Sequence, residues 1–144
     1  MKMLGKVPPL AAAAIVAALS ALPVGAHHST AAFDSARVVK LEGTVTQFRW
    51  INPHASIKID ATSDGDAPDG VWTVEMTAPN VLINEGWQRT SLKVGDKVTM
   101  FVNPLRNMGI VLNDGSTGGL YVGVVLADGT KLGRTDGQGA GSDR

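Results

Sequence analysis

The chain has 144 residues, no cysteine, and 13 basic and 13 acidic side chains. Without cysteine it can form no disulfide, no thiolate metal site and no cysteine nucleophile. Its 17 glycines are too many for a helical bundle and are typical of a turn-rich β domain. Because the charges balance and are interspersed, the sequence indicates neither a nucleic-acid-binding protein nor a polybasic membrane-surface protein.

Residues 1–26 have the pattern of a secretory signal peptide. Two lysines precede an apolar run from Leu10 to Leu22, and Val24 and Ala26 stand at the −3 and −1 positions of a cleavage site. The run is shorter than the ~20 residues that cross a bilayer as a helix. We therefore expect export to the periplasm or the medium, a mature chain that begins at His27, and no stable membrane anchor. An uncleaved signal anchor is the alternative.

The mature chain is expected to begin with an arm, residues 27–37, which is polar and irregular. The first strand is predicted over residues 38–50, which are rich in β-forming side chains. Apolar residues alternate on one face as far as Val45, and the alternation resumes at Phe48 on the opposite parity. This change of phase predicts a β-bulge at residue 46 or 47, so that both halves of the strand face the core.

The rest of the chain alternates between short apolar stretches and turns. Pro79 suits the first turn of a short helix and Gly86 suits its end. The Asp128-Gly129 pair predicts a tight hairpin. The predicted elements are strands at residues 55–61, 71–77, 97–102, 109–112, 120–126 and near 131–132, with a helix at 79–85 between the third and fourth strands.

This order predicts an all-β domain with one short helix. We expect a small five- to six-stranded barrel of the oligonucleotide/oligosaccharide-binding (OB) type over residues 38–132, and a disordered tail over residues 133–144. A closed barrel also removes the exposed edges that several short strands would otherwise leave. A β-sandwich is the alternative.

The three histidines, His27, His28 and His54, suggest a metal site. After cleavage, the α-amine and the ring of His27 would chelate one ion together, and His54 would complete a nitrogen set suited to copper. His28 is a competing ligand. The alternative is that the first two histidines are an exposed polar start and that His54 is a turn residue.

The stretch from Arg49 to His54 is the most distinctive in the sequence. Trp50, Asn52 and His54 are candidate ligand-binding residues, together with Trp87, because both tryptophans stand at the ends of predicted elements. Either tryptophan ring is an aromatic platform if exposed and part of the core if buried.

Catalytic interpretations find less support. Ser29, His54 and Asp60 are of the right types for a nucleophile, a base and an orienting acid, but no nucleophile-turn motif surrounds any serine. Glu42 and Glu75 both alternate outward on predicted strands and are expected to be solvated. The sequence therefore favours a non-enzymatic binding or accessory protein of unknown ligand, with a copper-binding protein as the alternative.

Several short motifs together resemble an uncharacterised family of exported bacterial proteins. The segment G-x-V-x-x-F-x-W-x-N-P-H begins at Gly43, and W-x-V-E begins at Trp72. Gly-Trp at residues 86–87 and Gly-Asp at residues 95–96 follow. The combination is similar to domain-of-unknown-function family 6152 over about residues 27–132. The resemblance implies export and a small β domain, and it implies no particular activity, substrate or cofactor.

Overall fold

The computed structural model describes residues 30–139. A single 3-10 turn, Thr30–Ala32, precedes the strands. The strands are β1 (Val39–Arg49), β2 (Ser56–Ser63), β3 (Gly70–Glu75), β4 (Lys97–Pro104), β5 (Thr117–Val125) and β6 (Lys131–Gly133), and the helix α1 (Pro79–Asn84) lies between β3 and β4.

Five of these strands form a closed barrel. β1 pairs antiparallel with both β2 and β4, and β2 pairs with β3. β4 pairs with β5, and a parallel pairing between β3 and β5 closes the ring. β6 extends the sheet beside the end of β5. The small OB-like barrel with one short helix that the sequence predicts is confirmed, and the alternative β-sandwich is not formed.

The bulge predicted in the first strand is present. The register of β1 against β2 shifts between Val45 and Gln47, so that Phe48 pairs with Ile57 on the inner side. Without the extra residue of the bulge, the apolar side chains after Val45 would point to solvent, because they alternate on the opposite parity. The bulge turns them back toward the core.

The core fills the barrel interior with side chains from alternate positions of every long strand. Trp72 is the largest of them and is completely buried, and its indole nitrogen donates to the carbonyl of Pro68 at 3.0 Å. Met76 and Met100 are also core residues. Among the apolar residues of the predicted strands, Phe48 is half-buried, and those that are buried include Val45, Ile57, Trp72, Val74, Val98 and Val124.

A glycine allows β1 and β2 to approach closely. A Cβ atom on Gly43 would lie 2.1 Å from the backbone oxygen of Asp60 and 2.6 Å from the Cα of Ala61. Only a residue without a side chain fits there, as is common where a small barrel bends sharply.

The prediction of a strand at residues 109–112 is wrong. These residues belong to the β4–β5 loop (residues 105–116), in which Val111 makes only a single bridge to Thr117. Ile110 and Val111 are more than half exposed, so this apolar run faces solvent instead of the core. β5 begins at Thr117, three residues earlier than the strand predicted at residues 120–126.

The segment before β1 is attached to the barrel. Phe33 is 5% exposed and forms a bridge with Leu105, and the amide of Asp34 donates to the carbonyl of Pro104 at 2.8 Å. We call residues 30–37 the docked arm. The sequence suggests an irregular polar segment, but it contains one aromatic ring that is buried against the end of β4.

The segment after β6 also contacts the barrel as far as it is described. The amide of Arg134 donates to the carbonyl of Val122 at 2.9 Å, and Gly139 lies directly against the backbone of Ala36. The remainder of the predicted tail and the predicted signal peptide lie outside the described residues. Within residues 30–139, no helix is long and apolar enough to cross a membrane.

Candidate ligand-binding site

One row of residues crosses the outer surface of four strands. Gln47 of β1 pairs with Lys58 of β2, Lys58 with Thr73 of β3, and Thr73 with Gly118 of β5. The neighbours of Lys58 and Thr73 along their strands are buried, so alternation turns this row outward. In OB-type barrels, the outer face of strands 2 and 3 and its two flanking loops commonly bind ligands.

A cavity of about 110 Å³ opens on this face at Gly118. The docked arm and the start of the β4–β5 loop form one wall, and β3 forms the opposite wall. The lining residues are Ala32, Phe33, Thr73, Glu75, Leu105, Leu112, Gly118 and Gly119. We call this space the β3–β5 cavity.

Gly118 makes the floor of the β3–β5 cavity. A Cβ atom at this position would lie 2.9 Å from Cδ1 of Leu105 and 3.5 Å from Cδ2 of Leu112. The missing side chain lets the two leucines fold over β5, which is a known use of glycine inside a strand. The walls formed by these leucines and Phe33 are therefore apolar.

Polar contacts fix the β4–β5 loop to the same face. Lys58 forms an ion pair of 2.6 Å with Asp114, and Asp114 accepts hydrogen bonds from the amide and the hydroxyl of Ser116 at 3.0 and 2.6 Å. The Ser116 hydroxyl also lies 2.7 Å from that of Thr73. The Lys58 ammonium, followed by the Ser116 hydroxyl, holds the pKa of the Asp114 carboxyl well below its usual range. We call these four residues the loop anchor.

Glu75 is the one acidic residue in the cavity lining. It is half-buried, and its strand partners are Ser56 on β2 and Leu120 on β5. Within residues 30–139, no basic side chain forms an ion pair with the Glu75 carboxylate. Arg49, Ser56 and Glu75 form the adjacent row across the sheet, and Ser56 stands between Arg49 and Glu75.

A second depression is larger, about 390 Å³, and lies between β1, β4 and the end of β5. Its side chains include exposed Glu42 and Lys97, and it is much more open to solvent than the β3–β5 cavity. Because water and salt screen interactions in an open depression, its size alone does not make it a binding site.

Three of the candidate residues from the sequence lie together in the β1–β2 loop (residues 50–55). Trp50 is half-buried and its ring meets that of Phe48 edge-on at 5.7 Å. Asn52 and His54 are exposed. His54 lies two residues before Ser56, the strand partner of Glu75, so the loop is at one end of the outward face.

Trp87 is separated from these loop residues and lies in the core. It is fully buried, its indole nitrogen donates to the Tyr121 hydroxyl at 3.1 Å, and its ring lies 6.0 Å from that of Phe48. Burial raises the pKa of the Tyr121 hydroxyl. Phe48 thus contacts both tryptophans, but only Trp50 reaches the surface.

His27 and His28 lie outside the described residues. Among the residues that the structure does describe, no group of three or more histidine, aspartate or glutamate side chains is placed to hold a metal ion. The copper site that the sequence suggests therefore stays a prediction.

The sequence profile described as a family of unknown function, DUF6152, matches residues 14–117. The chain belongs to this family. No curated protein and no solved structure matches the chain. The motif Asn52-Pro53-His54 and the strand residues that line the β3–β5 cavity all fall within, or within two residues of, the part that matches the DUF6152 profile.

Sequence reasoning missed the residues that build the cavity. Gly118 and Gly119 precede the strand predicted at residues 120–126 but lie inside β5, where a glycine pair is a signal of close approach. Thr73 and Glu75 alternate outward on a predicted strand, which on an OB-type barrel places them on the ligand-binding face. Nothing in the sequence pairs Phe33 with Leu105, because that contact joins segments far apart in the chain.

Proposed function

We propose that the protein is an exported, non-catalytic binding protein whose ligand site is the outer face of β2, β3 and β5. The observation that supports this most directly is the β3–β5 cavity, an apolar recess with a glycine floor on the face that OB-type barrels use for ligands. Fold alone does not decide function, so the proposal depends on the cavity and the groups around it.

The size of the cavity indicates how a ligand would bind. Sites that enclose a whole small molecule usually measure about 300–1,000 Å³, whereas this cavity has about 110 Å³. It suits one anchoring group of a larger ligand, with the rest lying along the outer row. Exposed apolar side chains on the two flanking loops, Ile51, Ile110 and Val111, would add contact area.

The state of the polar groups supports binding over catalysis. The hydroxyl of Ser116 contacts that of the lining residue Thr73, but Ser116 is 2% exposed and its hydroxyl is held between Asp114 and Thr73. The Lys58 ammonium is paired with Asp114. A serine nucleophile needs access to the substrate and a base able to take its proton, but this serine is buried and the Lys58 ammonium keeps the pKa of the neighbouring Asp114 carboxyl low, which makes it a weak base.

Export is the part of the proposal that the N-terminal sequence supports. The apolar run before Ala26 and the cleavage pattern predict a mature chain beginning at His27. Fractionation with N-terminal sequencing tests it: mature protein outside the inner membrane is expected. The intact chain in washed inner membranes would overturn this part alone.

The binding site is tested by mapping a neutral probe on the mature protein. In amide-correlation NMR spectra, n-butanol should shift the signals of Gly118, Gly119, Thr73 and Leu105. Ala32→Leu places extra carbons on the cavity wall and should abolish the shifts, while the matched variant Ala31→Leu, at an exposed position outside the lining, should keep them. Shifts that fall elsewhere, or that survive Ala32→Leu, would contradict the proposed site.

A copper site is the second candidate, and the exposure of His54 favours it. Within residues 30–139, no hydrogen bond or ion pair holds the His54 ring, so it is accessible to a metal ion. Mature protein should bind Cu(II) more tightly than Zn(II), and binding should weaken as the pH falls, because protons compete with the metal ion for nitrogen ligands.

Two variants test the copper site. One extra glycine before His27 moves the α-amine away from the ring, and His54→Ala removes the second imidazole, so each should weaken Cu(II) binding measured by calorimetry. Arg49→Ala is a control that changes an exposed residue beside the same loop. An unchanged Cu(II) affinity in His54→Ala would show that the β1–β2 loop is not part of the copper site.

A further inference from the structure

We infer that the anchoring group bound in the β3–β5 cavity is a primary alkylammonium, either a free amine or the side chain of a lysine, with Glu75 as its ionic partner. This inference rests on the proposed function and adds the chemical class of the ligand. It follows from two properties of the lining, its apolar walls and its single carboxylate, which forms no ion pair within residues 30–139.

The apolar walls select a hydrocarbon chain. Phe33, Leu105 and Leu112 line the cavity on the side of the arm and the loop, and the glycine floor adds no polar side chain. A chain of about four methylene groups fills a space of this volume, and each buried CH₂ contributes roughly 0.8 kcal/mol of transfer free energy.

The charges around the cavity select a cation at the end of that chain. The carboxylate of Glu75 is half-buried in the lining and has no basic partner within residues 30–139. The other polar side chain of the lining, Thr73, has its hydroxyl engaged with Ser116. An anionic ligand would be repelled by Glu75, and a neutral donor could form a hydrogen bond with its carboxylate but no ion pair.

The cations near the face do not fulfil this role. Lys58 lies on the row next to Glu75, but Asp114 neutralises it in a 2.6 Å ion pair. Arg49 is exposed and is separated from Glu75 by Ser56 in the sheet. Glu75 therefore has no basic partner in the described part of the chain, whereas Glu42 is exposed and pairs with Lys40 at 2.9 Å.

The test compares probes of equal length on the mature protein at neutral pH. By NMR titration, n-butylammonium should bind up to about fivefold more tightly than n-butanol, and butyrate should bind most weakly. The preference for the ammonium should shrink as salt is raised, because added ions screen a half-exposed pair. The lysine analogue Nα-acetyl-lysine N-methylamide tests whether a lysine side chain in a polypeptide shifts the same amide signals of the cavity residues.

Two variants connect the preference to one carboxylate. Glu75→Gln should remove the preference for the ammonium while leaving n-butanol binding unchanged. The control variant, Glu42→Gln, also removes one negative charge, but from an exposed position on β1, and it should retain the preference for the ammonium.

The outcomes separate the inference from the proposed function. Equal binding of the ammonium and the alcohol, or a preference that survives Glu75→Gln, would overturn the inference and leave the binding site standing. If no probe shifts the cavity signals, the proposed site fails together with it. Binding of n-butylammonium but not of the lysine analogue would support the class and assign the site to free amines.

Discussion

The two sides of β3 show how this small barrel divides its residues between fold and function. On the inner side, Trp72 and Val74 are completely buried in the core. On the outer side, Thr73 and Glu75 are half-buried and line the β3–β5 cavity. Successive residues of a strand face opposite ways, so one six-residue strand serves both purposes. Substitutions on the inner side should therefore change stability, and those on the outer side should mainly change binding.

The largest effect is expected for Trp72→Ala. It removes a fully buried tryptophan ring, which is among the largest side chains of the core, and a hydrogen bond to the carbonyl of Pro68, so unfolding should cost about 3–5 kcal/mol less. Urea titration followed by circular dichroism measures this. Val71→Ala, one residue away but 45% exposed, should stay within about 0.5 kcal/mol of the parent. An unchanged urea midpoint for Trp72→Ala would contradict the claim that the inner side of β3 determines stability.

The next effect is expected for Gly43→Ala, which adds a single methyl group where β1 approaches β2. The added Cβ would lie 2.1 Å from the Asp60 backbone oxygen, so the strands must separate, at a cost of about 1–3 kcal/mol. Thr44→Ala, the adjacent position on the same strand, is the control. Equal midpoints for the two variants would show that the barrel absorbs the methyl group freely.

The inner side of the barrel is the part that the sequence predicted well. Alternation of apolar residues located β1, β2 and β3, and the change of phase after Val45 located the bulge, because both patterns are local. The short helix between Pro79 and Gly86 was marked by the two residues that begin and end it. A closed barrel then followed from the order of the elements.

The outer side was predicted poorly, because its site depends on contacts between distant segments. The cavity needs Phe33 from the docked arm, Leu105 from the loop after β4 and Gly118 from β5. No local pattern joins these three residues. The polar motif Asn52-Pro53-His54 is distinctive in the sequence, but it lies in one loop at the end of the outward face. Trp87 was a candidate by position alone, and it is buried.

A smaller effect is expected for Thr73→Val on the outer side. The substitution keeps the shape and the β propensity but removes the hydroxyl that lies 2.7 Å from the Ser116 hydroxyl. Because Ser116 keeps its bond to Asp114, the loss should be about 0.5–1.5 kcal/mol, well below that of Trp72→Ala. Thr99→Val, at a half-buried position on β4, is the control in the same urea titration. A loss as large as that of Trp72→Ala would contradict the proposed division.

The smallest effect concerns the pH dependence of the loop anchor. Lys58 and Ser116 lower the pKa of the Asp114 carboxyl in the folded protein below its unfolded value of about 3.9. The stabilisation is therefore fully present above the unfolded value and is lost as the pH falls toward the folded one. Urea midpoints of the parent should decline more steeply below about pH 4 than those of Asp114→Asn, and the two curves should converge in acid.

Asp60→Asn distinguishes this local effect from a general change of charge. It removes one negative charge from an exposed position on β2, without altering the loop anchor. Its midpoints should follow those of the parent at every pH, and about 0.5 M salt should reduce the difference between the parent and Asp114→Asn, because the Lys58–Asp114 pair is partly exposed. If Asp60→Asn flattened the acid limb as much as Asp114→Asn, net charge would explain the pH dependence. A specific effect of Asp114 would instead show that the loop anchor is ordered in solution. It would then hold Leu112 over the β3–β5 cavity while contributing little to the free energy of unfolding.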